Sequence, residues 1–199
     1  MRLILSVRPE IVLVGGGGHC HSVLDVIEQE NRFKIKGIID NNLPVNYNVL
    51  NYKIIGGDDD IVDLAKDQVY FLITVGQIKS YSVRLKLAKL LQKHECKIAS
   101  VVSPRAYVSQ HAKIGRGTVV MHNAFVNANV EIGDYCIINT NAGIEHDSII
   151  GDFCHVSTGA IVNGDCEVGD GCFFGSNSTI SNGKIVKTNS IIGAGSFHK

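Results

Sequence analysis

The chain is 199 residues long, 45% apolar and without tryptophan, enough material for one domain or two small ones. Its 19 basic and 19 acidic side chains cancel, so it lacks the clustered positive surplus of an electrostatic nucleic-acid binder. The opening MRLILSVRPE holds an apolar-leaning stretch of only five residues before Arg8, too short for a signal peptide, and no later segment approaches a membrane span. The expectation is a cytoplasmic protein with neither membrane nor nucleic acid as partner.

Residues 1–98 alternate strand and helix patterns. An apolar strand, Ile11 to Val14, runs into Gly15-Gly16-Gly17-Gly18, and an amphipathic helix comes next through Val23, Leu24, Val26 and Ile27. A second strand, Ile35 to Ile39, ends at Asp40-Asn41-Asn42. A short helix with acidic residues at its start begins near Asp58 to Asp60, and a third strand, Val69 to Val75, ends at Gly76. A long helix carries Val83, Leu85, Leu87, Leu90 and Leu91, and a strand from Lys97 to Val101 delivers the chain into its second half. This rhythm predicts a small parallel sheet with helices packed on it.

Residues 99–199 obey a different grammar. From Val102 to Ile192 every sixth residue is a branched aliphatic or a phenylalanine, without a slip. Two residues before most of these knobs stands a small side chain, as at Ala106, Thr118, Ala142, Ser148 and Ala160. Neither an α-helix nor an amphipathic strand repeats every six residues, whereas a β-helix of hexapeptides does. Ile-Gly or Val-Gly recurs at residues 114, 132, 150 and 168, so 18 residues make one triangular coil with one knob per side pointing inward. Gly115, Gly133, Gly151, Gly169, Asn127, Asn139 and Asn163 each come directly after a knob, where a positive-φ corner would favour them. Lys184 breaks the small-residue comb and suggests a loop near residues 181–189.

Four of the six cysteines, Cys136, Cys154, Cys166 and Cys172, fall on that comb as compact core residues. No CxxC pair occurs, so no metal site is expected. The glycine loop suggests a phosphate cradle at a helix start. It does not fit the dinucleotide motif GxGxxG, which would need glycine where Cys20 stands, and the sheet unit is too small for a second mononucleotide half.

Three stretches, VLVGGGGHCHS with its histidine, Asp40-Asn41 at the next strand end, and NTNAGIEHDSIIGDFCHVSTGAIVNGD from Asn139 to Asp165, together resemble one family. It is the PglD/NeuD group of bacterial sugar-nucleotide acetyltransferases, within the hexapeptide-repeat acyltransferase superfamily. The resemblance implies a Rossmann-like nucleotide-sugar domain, a left-handed parallel β-helix and a homotrimer with active sites at subunit interfaces. The handedness rests on it alone.

By the same resemblance, His146 is the catalytic base, supported by Asp147. From the residues themselves, either Glu145 or Asp147 could orient its ring. His155, half a coil away, would contact acetyl-CoA, with Asn139 lining the same pocket, the Gly164 N–H meeting the acetyl oxygen, and Ser176 and Ala194 along the coenzyme. Gly17, Gly18, His19, Asp40, Asn41 and Gly76 would bind the nucleotide, with uridine as the base. His94, His111 and His122 match nothing and read as surface residues. The family's G-x-P-A-K-type segment after the last coil has no counterpart in Phe197-His198-Lys199, so either the coenzyme site is trimmed or the sequence stops short of that segment.

The implied reaction is acetyl transfer from acetyl-CoA to the amino group of a UDP-linked 4-amino-6-deoxy sugar in bacterial surface glycan synthesis, without a metal. The alternatives are O-acetylation of a sialic-acid-like sugar and a non-catalytic trimeric sugar-nucleotide scaffold.

Overall fold

The computed structural model describes residues 8–78 and 80–199, and the apolar opening stretch lies outside them. Strand β1 (Glu10–Val14), helix α1 (Gly18–Glu30), strand β2 (Lys34–Ile39), a hairpin of β3 (Asn48–Val49) and β4 (Tyr52–Gly56), helix α2 (Ile61–Lys66), β5 (Tyr70–Ile73), helix α3 (Ser82–Lys93) and β6 (Lys97–Ile98) form the first unit. Its sheet runs in the order β3-β4-β2-β1-β5-β6, with only the β3–β4 pair antiparallel. The β1 and β5 side chains Ile11, Val12, Leu13, Phe71 and Leu72 have no exposed surface, as expected of parallel strands covered on both faces. The hairpin escapes the sequence pattern because β3 has two residues and β4 opens on the polar Tyr52-Lys53.

The chain builds outward from β1 through β2 to β4, then returns to the other side of β1 with β5 and β6. This reversal opens a crevice at the carboxyl ends of β1 and β5, the usual ligand position of open α/β sheets.

The strand expected over Lys97 to Val101 is two strands in two sheets. Lys97–Ile98 pairs with β5, whereas Val101–Val102 pairs with Val119–Val120 of the repeat. From there on, two-residue strands pair in parallel with partners 18 residues away, as Ile137–Ile138 does with His155–Val156. They stack into three sheets of six, six and five strands. The knobs from Val120 to Ile192 merge with Cys136, Cys154, Cys166 and Cys172 into one buried core. Each fully buried aliphatic knob contributes about 1.5–3 kcal/mol from area removed from water.

The other residue of each strand points outward and gives each face its character. One face carries Val101, Val119, Ile137 and His155, all buried beneath the first unit; Val101 and Val119 share a core with α1. A second carries exposed Tyr107, Phe125, Ile161 and Phe197, with Tyr107 and Phe125 stacked at 5.1 Å. The third mixes Lys113, Glu131, Ile149, Glu167 and Ile185.

Two corner expectations are corrected. The glycines after the knobs do not supply positive φ; from Ile114 on, that role belongs to the residue three past each knob, including Asn123, Asn129, Tyr135, Asp147, Phe153 and Gly159. Gly133 and Gly151 are needed because a β-carbon there would come within 2.8 Å of a backbone nitrogen in the next coil, Asp152 or Asp170. Asn127, Asn139 and Asn163 likewise lack positive φ and act through their side-chain amides. Nor is there a loop at residues 181–189: Ile185–Val186 pairs with Glu167–Val168 in register, and the Lys184 carbonyl accepts the Glu167 N–H at 2.8 Å.

Candidate active site

The glycine loop comes straight after β1 because Gly15, at φ 106°, turns the chain back close under Val75, where a β-carbon does not fit. Asp40 fastens this turn: Oδ2 accepts the Gly16 N–H and Oδ1 the Asn42 N–H, both at 2.7 Å. Helix α1 then starts with no side-chain cap and no acidic residue in its first turn. Its free N–H groups and positive dipole end face the crevice. Gly17 and Gly18 leave open space where side chains would stand.

The crevice encloses about 740 Å³. Gly17, Gly18, His19, Asp40 and Gly76 line it together with Asn139 and His155 of the β-helix, so residues expected at the nucleotide and residues expected at the coenzyme meet in one cavity. Asn41 does not line it. Its Oδ1 accepts the Asp58 N–H at 2.8 Å, holding the turn before α2, and Asn42 lines the crevice in its place.

His155 points out of the coil yet is only 7% exposed, covered by the segment after β5. Its Nδ1 donates to the Gln77 carbonyl at 2.5 Å, which leaves Nε2 to accept from Asn139 Nδ2 at 3.0 Å. The Asn139 amide is turned that way because its Oδ1 accepts the Thr140 N–H. Burial pushes the His155 pKa down to about 4, so the ring is neutral at pH 7. His19 is pushed to about 3 by burial, with Arg84 and His155 adding to it, and its buried Nε2 has no partner. A ligand group entering the crevice would satisfy that nitrogen.

His146 lies elsewhere, on the corner between Gly143–Ile144 and Ile149–Ile150, with more than half its side chain exposed. Nδ1 meets Asp147 Oδ2 at 2.8 Å, and Asp147 is held in turn by Asn129. Those two hydrogen bonds, Asn129 first, depress the Asp147 carboxyl below its usual range. Glu145 takes no part, because its carboxylate accepts from Asn127 at 2.6 Å. Gly164, one coil on, lies directly against the His146 ring. Ser176 touches Ser157 at 3.3 Å, and Ala194 is exposed, its backbone stacked on Gly175.

Sequence reasoning missed three residues. His122 is not a free surface group: it bridges Ser103 Oγ and Asp25 Oδ2, both at 2.6 Å, tying α1 to the first coil. Gln77 donates to the Phe153 carbonyl while its own carbonyl holds His155, and Arg84 is buried beneath the crevice. Their partners lie between nine and 97 residues away, and no local pattern announces them.

Residues 10–91 match the PglD N-terminal domain, and residues 111–146 and 147–182 match the bacterial transferase hexapeptide. The chain thus joins a PglD-type N-terminal domain to bacterial transferase hexapeptide repeats. Its coil is the left-handed β-helix of the hexapeptide-repeat transferases. The acetyltransferase domain of PglB from Neisseria gonorrhoeae FA1090 is 26% identical, with TM-score 0.87 over 96% of this chain and 91% of that one. The same domain is also known in complex with acetyl coenzyme A, at TM-score 0.86 over 95% of this chain and 90% of that one. WeeI from Acinetobacter baumannii AYE (23% identical, TM-score 0.74, 94% of each chain) shares the fold. So does a histidine-to-asparagine mutant of perosamine N-acetyltransferase from Caulobacter crescentus, bound to CoA and GDP-perosamine (22%, TM-score 0.69, 96% of this chain and 89% of that one). A comparison with curated proteins finds no match. Among the described residues no cluster of three or more His, Cys, Asp or Glu could hold a metal ion, and no helix is long and apolar enough to cross a membrane.

Proposed function

We propose that the chain is an acetyl-CoA-dependent N-acetyltransferase acting on the amino group of a nucleotide-linked 4-amino-6-deoxy sugar in the bacterial cytoplasm. It works as a homotrimer, feeds surface glycan synthesis and takes UDP as its nucleotide carrier. The observation that carries this reading is the shared crevice, in which the open start of α1 and Asp40's loop face Asn139 and His155 of the β-helix. A phosphate-binding helix start meeting a β-helix face suits a sugar nucleotide held against an acyl donor. The acetyl coenzyme A complex of the 26% identical PglB domain supports the donor, and the PglD N-terminal match supports the nucleotide sugar.

Acetyl transfer to an amine requires one proton acceptor and one oxyanion donor. As the amine attacks the thioester carbonyl, His146 Nε2 accepts its proton while Asp147 holds Nδ1–H and stabilises the imidazolium. The Gly164 N–H, which donates to no acceptor among the described residues, is directed to the developing oxyanion. The C–S bond then breaks, and His146 returns the proton to the coenzyme thiolate. Ser176 and Ala194 lie along the coenzyme's path. His146 stands at an edge of the aromatic face and His155 on the covered face, so one site draws them from two subunits; Tyr107, Phe125, Ile161 and Phe197 form the apolar surface that joins those subunits.

Release of free coenzyme A thiol, monitored with a thiol-reactive dye, tests the reaction. Release only with a nucleotide-linked amino sugar supports it. Nucleotide binding with no release on any amino or hydroxy sugar identifies a scaffold instead, and release only on hydroxy sugars identifies O-acetylation. Calorimetry with UDP, GDP and CMP tests the base, with UDP expected to bind tightest.

A further inference from the structure

Arg84 is the largest fully buried side chain among the described residues, 1% exposed, in the first turn of α3. Its guanidinium meets only carbonyls: Nη1 donates to Val75 at 2.6 Å and to Ile73 at 3.3 Å, and Nη2 to Tyr135 at 2.8 Å. Its Nε has no partner, and no carboxylate acts on it; burial alone lowers its pKa, to about 10. A cation at a helix N-terminus opposes the dipole, and an unpaired buried charge is costly. A methionine of similar length would fill the space at lower cost, so packing alone does not account for the arginine.

Its position does. Ile73 and Val75 bracket Thr74 on the floor of the crevice, and the charge is close enough to depress both histidines that line it. We propose that Arg84 is a positioning and specificity residue of the crevice: its buried charge favours a doubly negative diphosphate, and its grip on Ile73, Val75 and Tyr135 holds the crevice floor against the β-helix. The ligand's diphosphate is the counter-ion that the protein itself omits. The nearby start of α1 adds partial positive charge from the other side, and Asp40, whose oxygens are both occupied by the glycine loop, is the acidic group facing the same cavity.

This inference rests on the nucleotide reading of the crevice, and its test keeps the two apart. UDP, GDP and their uncharged nucleosides are titrated into the full-length protein and into Arg84→Met and Arg84→Lys. If the native protein binds neither diphosphate, the nucleotide reading itself fails. If it binds one, Arg84→Met is expected to weaken that diphosphate by about tenfold or more beyond whatever it costs the nucleoside, and Arg84→Lys to keep most of the diphosphate affinity. Equal weakening of diphosphate and nucleoside reduces Arg84 to a structural staple and overturns the proposal, as does an unchanged diphosphate affinity in Arg84→Met. Should Arg84→Met fail to fold, Arg84→Lys decides: retained diphosphate affinity supports the charge, and a loss of about tenfold or more overturns it.

Discussion

The imidazole of His146 rests against the α-carbon of Gly164, one coil further along, so closely that a β-carbon there would come within 2.7 Å of both Cε1 and Nε2. Gly164→Ala therefore displaces the ring without touching the nucleotide crevice. The expected outcome is a fall in kcat of about 10²-fold, since small misplacements of a reacting group cost that much. His146→Ala should reach a similar or larger loss, and neither change should alter nucleotide affinity. Asp147→Asn, which leaves the ring in place but removes its charged acceptor, should cost about tenfold. Steady-state rates beside calorimetry check all three; an unchanged rate in His146→Ala removes that residue as the base.

Acid should loosen the join between the two units. His155 titrates near 6.5 when unfolded and near 4 when folded, and His19 near 3, so the unfolded chain binds more protons below about pH 6.5. Stability contributed by the neutral rings is complete above pH 6.5 and is lost as pH falls toward 4. For His155 the loss amounts to as much as about 3 kcal/mol. The melting temperature should drop between pH 6.5 and 4.5, and His155→Gln should flatten that slope. A slope unchanged in His155→Gln assigns the acid sensitivity to other groups.

Two kinds of glycine in the coil should respond differently. Gly133 has an ordinary φ but no room, because the Asp152 backbone fills the space of a β-carbon; Gly183 has open space but φ +66°. Gly133→Ala forces neighbouring coils apart and should cost about 3 kcal/mol, the upper end of what overpacking costs. Gly183→Ala meets only the left-handed backbone penalty of about 1 kcal/mol, and Gly183→Asn should be nearly neutral. Denaturant unfolding of the three variants measures the difference.

That contrast also marks what can be read from the sequence. The knobs from Val102 to Ile192 are legible because an inward side chain every six residues leaves a pattern no other fold shares. Their phase places Cys136 and Cys154 inside and His146 outside. The glycines after the knobs suggest a need for positive φ, when a clash with the next coil explains them; one strand cannot show what its neighbour occupies. The true left-handed corners stay hidden because Tyr135 and Phe153 stand there beside Asn, Asp and Gly. The phase sets His155 outside the coil's core but cannot show what covers it, because the Gln77 segment that does so lies 78 residues earlier. Arg84 looks like a solvated helix cation beside Val83 and Leu85, for nothing local says that α3 turns it inward.

If each site joins His146 of one subunit to the crevice of its neighbour, two crippled chains can repair each other. His146→Ala lacks the base but keeps the crevice, and Asp40→Ala lacks the fastening of the glycine loop but keeps the base. Coexpressed in equal amounts with different tags, they assemble at random into trimers, in which one interface in four pairs an intact base with an intact crevice. The mixed preparation should recover about a quarter of native activity, while each variant alone stays near background. Adding Phe125→Glu to both chains, which sets a charge on the apolar face, should abolish the recovery and shift the mass measured by light scattering toward the monomer. Coassembled trimers that recover no activity would place the base and the crevice of one site on the same subunit.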